Sequence, residues 1–257
     1  MPAELTLNLP RLYGFVLVLA RVSGVIVFVP IPGISAGSAA SRIVLTLALT
    51  IALSPIWPAP AVEGPIAATL VGWTAAEAGF GLTIGIAVAF LLEGVQMAAQ
   101  MIGLQAGYSF ASTVDPTTQA DTTSLQLVTQ LLAGWLFFAF GFDRQVIRIL
   151  AKSFESTPGG AYALNSSIVE AITRLGSGIF VTGLQLAAPV LALLLLLDIA
   201  FAVLGRLQTQ LQLLSLSFSM KMLAGLVFLT VILSIFPAVF AKTSAATFHT
   251  LTRLLDR

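Results

Sequence analysis

Charge is what this chain has least of. Only 9% of its 257 residues are Asp, Glu, Lys or Arg, against 58% hydrophobic residues, where a soluble globular domain carries about 25% charged residues. That scarcity points away from a soluble fold and to a polytopic membrane protein. There is no cysteine, which excludes disulfides, thiolate catalysis and cysteine-based metal sites. Histidine occurs once, as His249 near the C-terminus, and is read as carrying no function. A formal net charge of +1 argues against a nucleic-acid partner, whose phosphates are met by clustered Lys and Arg. Catalytic signatures are missing too: no HExxH, no phosphate-binding glycine loop, and no Ser–His pair in a plausible local setting. Glu77 and Glu93 lie 16 positions apart, about 160° around a continuous helix, so they form no carboxylate pair. No enzyme, cofactor or metal is expected.

What is present is a series of apolar helices. The N-terminal stretch has Glu4 before its first cation, Arg11, and no small-residue cleavage site behind its apolar run, so it is read as a retained first helix from Pro10 to about Val29. Pro30 to Ser41 breaks it. A second helix, Arg42 to Leu53, ends at the proline-rich SPIWPAPAVEGP, where Trp57 is expected at a membrane interface. A third runs from near Pro65 to about Gly103, either as two helices kinked at Gly79 to Gly85 or as one long helix that leaves the lipid. Thr122 to Phe142 makes a fourth. Asp143 to Ser156 is amphipathic, with Arg144, Arg148 and Lys152 on one face and Val146, Leu150 and Phe154 on another, which suits a membrane face or a docking partner. A further long helix, Ser166 to Gly205, carries Pro189 and is expected to kink there. Arg206 to Lys221 alternates polar and apolar residues, which predicts extended chain. The last helix is read as Met222 to about Ala241, followed by a basic tail. The fold class is therefore all-α, with long kinked helical hairpins and a buried or hydrated central loop.

That loop belongs to the most polar stretch of the chain, Glu93 to Asp121. At 100° per residue, Glu93, Gln96, Gln100, Gly103 and Gly107 form one polar and small stripe. Thr122, Gln126 and Gln130 form a second on the following helix. Such stripes suit either the walls of a hydrated passage or helix–helix contacts. Between them, Gly107 permits unusual backbone angles, Asp115–Pro116 turns the chain, and Tyr108 and Phe110 are bulky enough to fill a channel or a core. Arg21, Glu77, Glu93, Asp198, Arg206 and Lys221 fall within or beside apolar helices, where each charge costs about 2.5–3.5 kcal/mol at a helix centre. So many of them predict helices packed on protein or water rather than lipid.

Three blocks carry a family resemblance: LARVSGVIVFVPIPG (Leu19 to Gly33), QMIGLQAGYSFASTVDP (Gln100 to Pro116) and FSMKMLAGL (Phe218 to Leu226). In order and spacing the chain resembles, over nearly its whole length, the FliR family of flagellar and type III secretion export-gate subunits. The resemblance implies a gate built with FliP-like and FliQ-like subunits, alongside FlhB-like and FlhA-like export components. It further implies unfolded protein substrates, and a place in the bacterial inner membrane at the flagellar basal body, with part of the assembly on the periplasmic side. It implies a FliP-like part, residues 1–160, joined to a FliQ-like part, residues 161–257. It also implies a plug at Gly107 to Thr122, including Ser109, Phe110, Asp115 and Pro116. Arg21, Glu77, Asp198, Arg206 and Lys221 are then candidates for subunit contacts. Where many such relatives carry a proline-containing loop, this chain has RLQTQLQ at Arg206 to Gln212. Two other readings remain open on the residues: an ion- or proton-coupled transporter using Glu77, Glu93 or Asp198, and a scaffold without a passage.

Overall fold

The structure is a computed structural model, which describes residues 9–29, 39–58, 67–108, 124–157, 159–160, 162, 166–207 and 213–255. All regular structure among them is helical. In chain order the elements are α1 (Leu9–Phe28), α2 (Ala39–Ala52), a 3₁₀ turn (Ser54–Ile56), α3 (Ala67–Ala106), α4 (Ser124–Ala139), α5 (Phe142–Ser156), α6 (Ser166–Leu207) and α7 (Leu213–Leu255). Among the described residues, three helices are long and apolar enough to cross a membrane, over Pro10–Phe28, Ala68–Ala106 and Ser166–Leu207. With 40, 42 and 43 residues, α3, α6 and α7 each extend about 60 Å at ~1.5 Å per residue, twice what a ~30 Å hydrocarbon layer requires.

The chain divides into two compact units. The first comprises Met1–Ala89, Phe137–Leu175 and Ala246–Arg257, the second Phe90–Leu136 and Gly176–Ala245. In the first unit α1 buries Leu17, Val18, Val22, Val25 and Ile26, a repeat of three and four residues that places them on one face. It crosses α3 at glycines. A β-carbon on Gly24 would lie 2.6 Å from the Ala78 carbonyl oxygen, and one on Gly85 2.8 Å from that of Gly24. The two backbones touch there, with no room for a side chain. Apolar burial drives little association in lipid, so contact of this kind supplies the dispersion energy that holds the pair. Trp57 closes the helix pair α1–α2: its ring meets Phe15 edge-on at 5.4 Å, and its indole N–H donates to the Thr50 carbonyl at 2.9 Å.

In the second unit the part of α3 from Phe90 onward packs on α6, again through small residues. A β-carbon on Gly94 would lie 3.2 Å from Thr182 Cβ, and one on Gly183 2.9 Å from Met97 Cγ.

Three expectations are corrected or decided. The third helix is a single element rather than two, and Gly81 and Gly85 within its glycine-rich region meet α1. The expected extended chain over Arg206 to Lys221 is not found in its described parts. Arg206 and Leu207 end α6, residues 208–212 lie outside the described residues, and α7 is helical from Leu213. Alternating Leu and Ser mimics a strand, but Leu, Met and Lys are good helix formers, and an apolar environment demands that each peptide group be bonded within its own segment. For the same reason α7 runs beyond Ala241 to Leu255, through Pro237, and takes up the expected tail with Lys242 and Arg253. Helix α6 contains Pro189 within one element, as the expected Ser166 to Gly205 helix does.

Candidate functional site

The end of α3 is built by Gly107. Its φ of +86° is a left-handed conformation that a side chain disfavours. Gly107 N–H bonds to the Leu104 carbonyl at 3.2 Å and Tyr108 N–H to the Gly103 carbonyl at 2.9 Å. This pair of bonds is the Schellman arrangement, which satisfies two terminal carbonyls and turns the chain sharply out of the helix. Tyr108 then reaches α7, where its hydroxyl donates to the Met222 carbonyl at 2.8 Å. Gly225 leaves space for it, since a β-carbon there would stand 3.2 Å from Ala106 Cβ and 3.4 Å from Tyr108 Cε2. Burial raises the Tyr108 phenol above its ordinary pKa of 10.0, so at neutral pH it is a donor. Ser109, Phe110, Asp115 and Pro116, the rest of the expected plug, lie outside the described residues.

Beside Tyr108 sit two of the charges picked out in the sequence. Asp198 of α6 is ion-paired with Lys221 of α7, and its other oxygen accepts from Gln105 Nε2 of α3 at 3.0 Å. One half-buried carboxylate therefore joins three helices. Gln105 was not singled out in the sequence; its only signal was its position three residues before Tyr108.

The polar stripe of α3 divides. Glu93 and Gln100 are exposed, Gln96 and Gly107 half-buried, and Gly103 buried. Helix α3 meets α6 through Gly94 and Met97, beside the stripe. On α4, Gln126 is half-buried and Gln130 exposed.

The other charged cluster is internal to the first unit. Arg21 of α1 and Glu77 of α3 are 0% and 1% exposed, so neither has water to fall back on. The guanidinium donates through Nε to Glu77 Oε2 at 2.5 Å and through Nη2 to Glu77 Oε1 at 3.0 Å. It donates further to Ser153 Oγ at 2.9 Å and to the Thr157 carbonyl at 3.2 Å. Glu77 Oε1 also accepts from Gly160 N–H at 2.8 Å. Phe80 and Phe154 cover the guanidinium, each ring centroid 4.4 Å away. Planar Arg can bond in its plane and stack on both faces, which Lys cannot. Arg21 and Glu77, read separately in the sequence, thus pair with each other; Ser153 and Gly160 carried no signal there. Arg206 is exposed. On α5, Arg144, Arg148 and Lys152 are exposed while Val146 and Leu150 are buried. Among the described residues, no three His, Asp or Glu side chains converge as metal ligands.

Long apolar helices, stacked on glycines and fastened by two charged clusters, define a multi-helix integral membrane protein. Over residues 12–246 the chain matches the family model described as bacterial export proteins, family 1. It is 34% identical over 209 residues to the flagellar biosynthetic protein FliR of Escherichia coli (strain K12), covering 81% of this chain and 79% of that protein. It is 29% identical over 231 residues to FliR of Caulobacter vibrioides, covering 87% and 90%, and 25% identical over 246 residues to FliR of Bacillus subtilis (strain 168), covering 94% of each. The chain belongs to the FliR family of bacterial export proteins and is a membrane component of the flagellar export apparatus.

Proposed function

We propose that the chain is a subunit of the flagellar protein-export gate. With FliP-like and FliQ-like subunits it forms a gated, passive conduit for unfolded substrates, next to FlhB-like and FlhA-like components. The assembly sits in the bacterial inner membrane at the basal body, with part of it on the periplasmic side. Residues 1–160 act as the FliP-like part and 161–257 as the FliQ-like part. The chain is not an enzyme, and the energy for export comes from other components. The stretch from Gly107 to Thr122 is the plug, and Arg206 and the exposed residues of the polar stripes face partners or the passage.

The observation that carries this reading is the ending of α3. A left-handed glycine directs the chain out of the helix, and Tyr108 is fastened at the point of departure. A segment that must block a passage needs a fixed root of this kind. The transporter reading draws less support. Glu77 is engaged by Arg21 and Gly160 and Asp198 by Lys221 and Gln105, so both serve contacts between helices, while Glu93 stands exposed.

The test is removal of Tyr108 to Thr117 in a gate assembled with its partner subunits and placed in a bilayer. Raised ion conductance is expected; unchanged conductance defeats the plug. Cross-linking of a stalled export substrate to cysteine introduced at Ser109 or Thr113 separates a conduit from a scaffold, which gives no adduct.

A further inference from the structure

The end of α3 is held on α7 by one direct bond and, beside it, by one bridge through α6. On α3 the residues involved are Gln105 and Tyr108; on α7 they are the neighbours Lys221 and Met222. Tyr108 Oη donates to the Met222 carbonyl, while Gln105 and Lys221 meet on the same carboxylate, Asp198 of α6. The surroundings are apolar: Asp198 follows the run LALLLLL, and Leu195, Leu196 and Ile199 are exposed around it. Apolar contacts between helices tolerate small slides, because one methyl replaces another. A carboxylate bonded through both oxygens to two other helices does not, since a slide of one residue would leave a charge unpaired in apolar surroundings.

We propose that Gln105, Asp198 and Lys221 are positioning residues that fix the register of α3 against α7, and so set where Tyr108 stands on α7. The role rests on the plug reading to this extent: the plug segment leaves α3 directly after Tyr108, so the clamp determines where its root is held. Gly225 is the complementary notch, shaped to receive Ala106 and the Tyr108 ring only when the register is correct. The cluster therefore does more than neutralise the charges of α6 and α7, for which Gln105 would be superfluous.

The chain has no native cysteine, so an introduced pair reports register without background. Ala106→Cys with Gly225→Cys sets two β-carbons 3.2 Å apart in the native register, just under the separation a disulfide spans, and a slide of one residue, which also turns a helix face by about 100°, takes them apart. In gates assembled with their partner subunits, D198N or K221Q is expected to slow disulfide formation several-fold, while K221R keeps it near the parent rate. The charge-exchanged D198K/K221D pair recovers much of it, which a role in bulk packing would not allow. Unchanged cross-linking in both D198N and K221Q overturns the proposal. If those variants do not assemble, Gln105→Leu, which leaves the ion pair intact, decides it: slower cross-linking supports the clamp and an unchanged rate overturns it. Conductance of the gate lacking Tyr108 to Thr117 separately decides the plug, so a failed clamp and a failed plug give different results.

Discussion

Arg21 illustrates how a charge survives in an apolar chain. Its bonds to Glu77, Ser153 and Thr157, with the rings of Phe80 and Phe154 against it, take the place of water. Removing one partner of such a pair leaves the other charge buried and alone, at a cost of about 3–5 kcal/mol. Arg21→Met is therefore expected to destabilise the folded chain by that amount, measured as a lowered midpoint of thermal unfolding in detergent. Arg21→Met with Glu77→Met removes both charges and costs less than Arg21→Met alone, though Gly160 N–H still loses its acceptor. Ser153→Ala removes one bond to a charged donor and costs roughly 1.5–3 kcal/mol. Tyr108 makes a prediction in pH. Its phenol is shifted upward by burial, so folding favours the protonated form. Its contribution is fully present below the unfolded-state value of about 10 and is lost as pH rises through the higher folded value. The difference in phenolate absorbance between the parent and Tyr108→Phe is expected to titrate above the ordinary tyrosine range; a midpoint at or below it would contradict the burial of this ring against α7.

At the scale of elements, α1 and α3 are joined by glycine. Gly24, Gly81 and Gly85 stand where the two backbones touch, whereas Gly72, on the same α3, has nothing within 4 Å of its would-be β-carbon. Gly81→Leu is expected to separate the helices and lower the yield of folded protein in membranes. Gly72→Ala is expected to be neutral or to stabilise by up to about 1 kcal/mol through helix propensity. Equal effects of the two would mean that the crossing does not depend on close approach. The N-terminal part of α7 shows the limit of reading periodicity. The alternation of apolar residues with Ser from Leu214 onward has the period of a strand, yet the segment is helical. Periodicity reports which faces are apolar, and where apolar surroundings cover every face, the requirement to satisfy the backbone decides the conformation instead.

For the whole molecule, the exposed side chains are as informative as the buried ones. Ile43, Val44 and Ile51 of α2, Trp135 of α4, and Phe180 and Leu196 of α6 all stand outward. Large apolar side chains exposed in this number need lipid or partner subunits to cover them. Expressed alone, the chain is expected to need detergent and to aggregate on its removal, while co-expression with FliP-like and FliQ-like subunits yields a monodisperse complex; a monodisperse chain in detergent-free buffer would contradict the reading. Basic α5 has the opposite surface, with Arg144 and Arg148 outward, so the molecule also presents a face suited to water or to anionic groups.

Composition and hydropathy by themselves determined the all-helical membrane class, because long apolar runs admit no other way to bond the backbone. Short blocks such as IGLQAGYSFASTVDP determined the family, because a backbone turn and its neighbours leave a local signature. Gly107 was legible as an unusual backbone position for the same reason. What the residues alone left open was pairing. Arg21 and Glu77 are 56 positions apart, and Gln105 and Asp198 are 93 apart. Nothing local says that a lone charge in one helix has its partner in another, nor which helix a glycine run meets. Those choices depend on which helices come to lie together, and they were made only when α1, α3 and α5 closed around one guanidinium, and α3, α6 and α7 around one carboxylate.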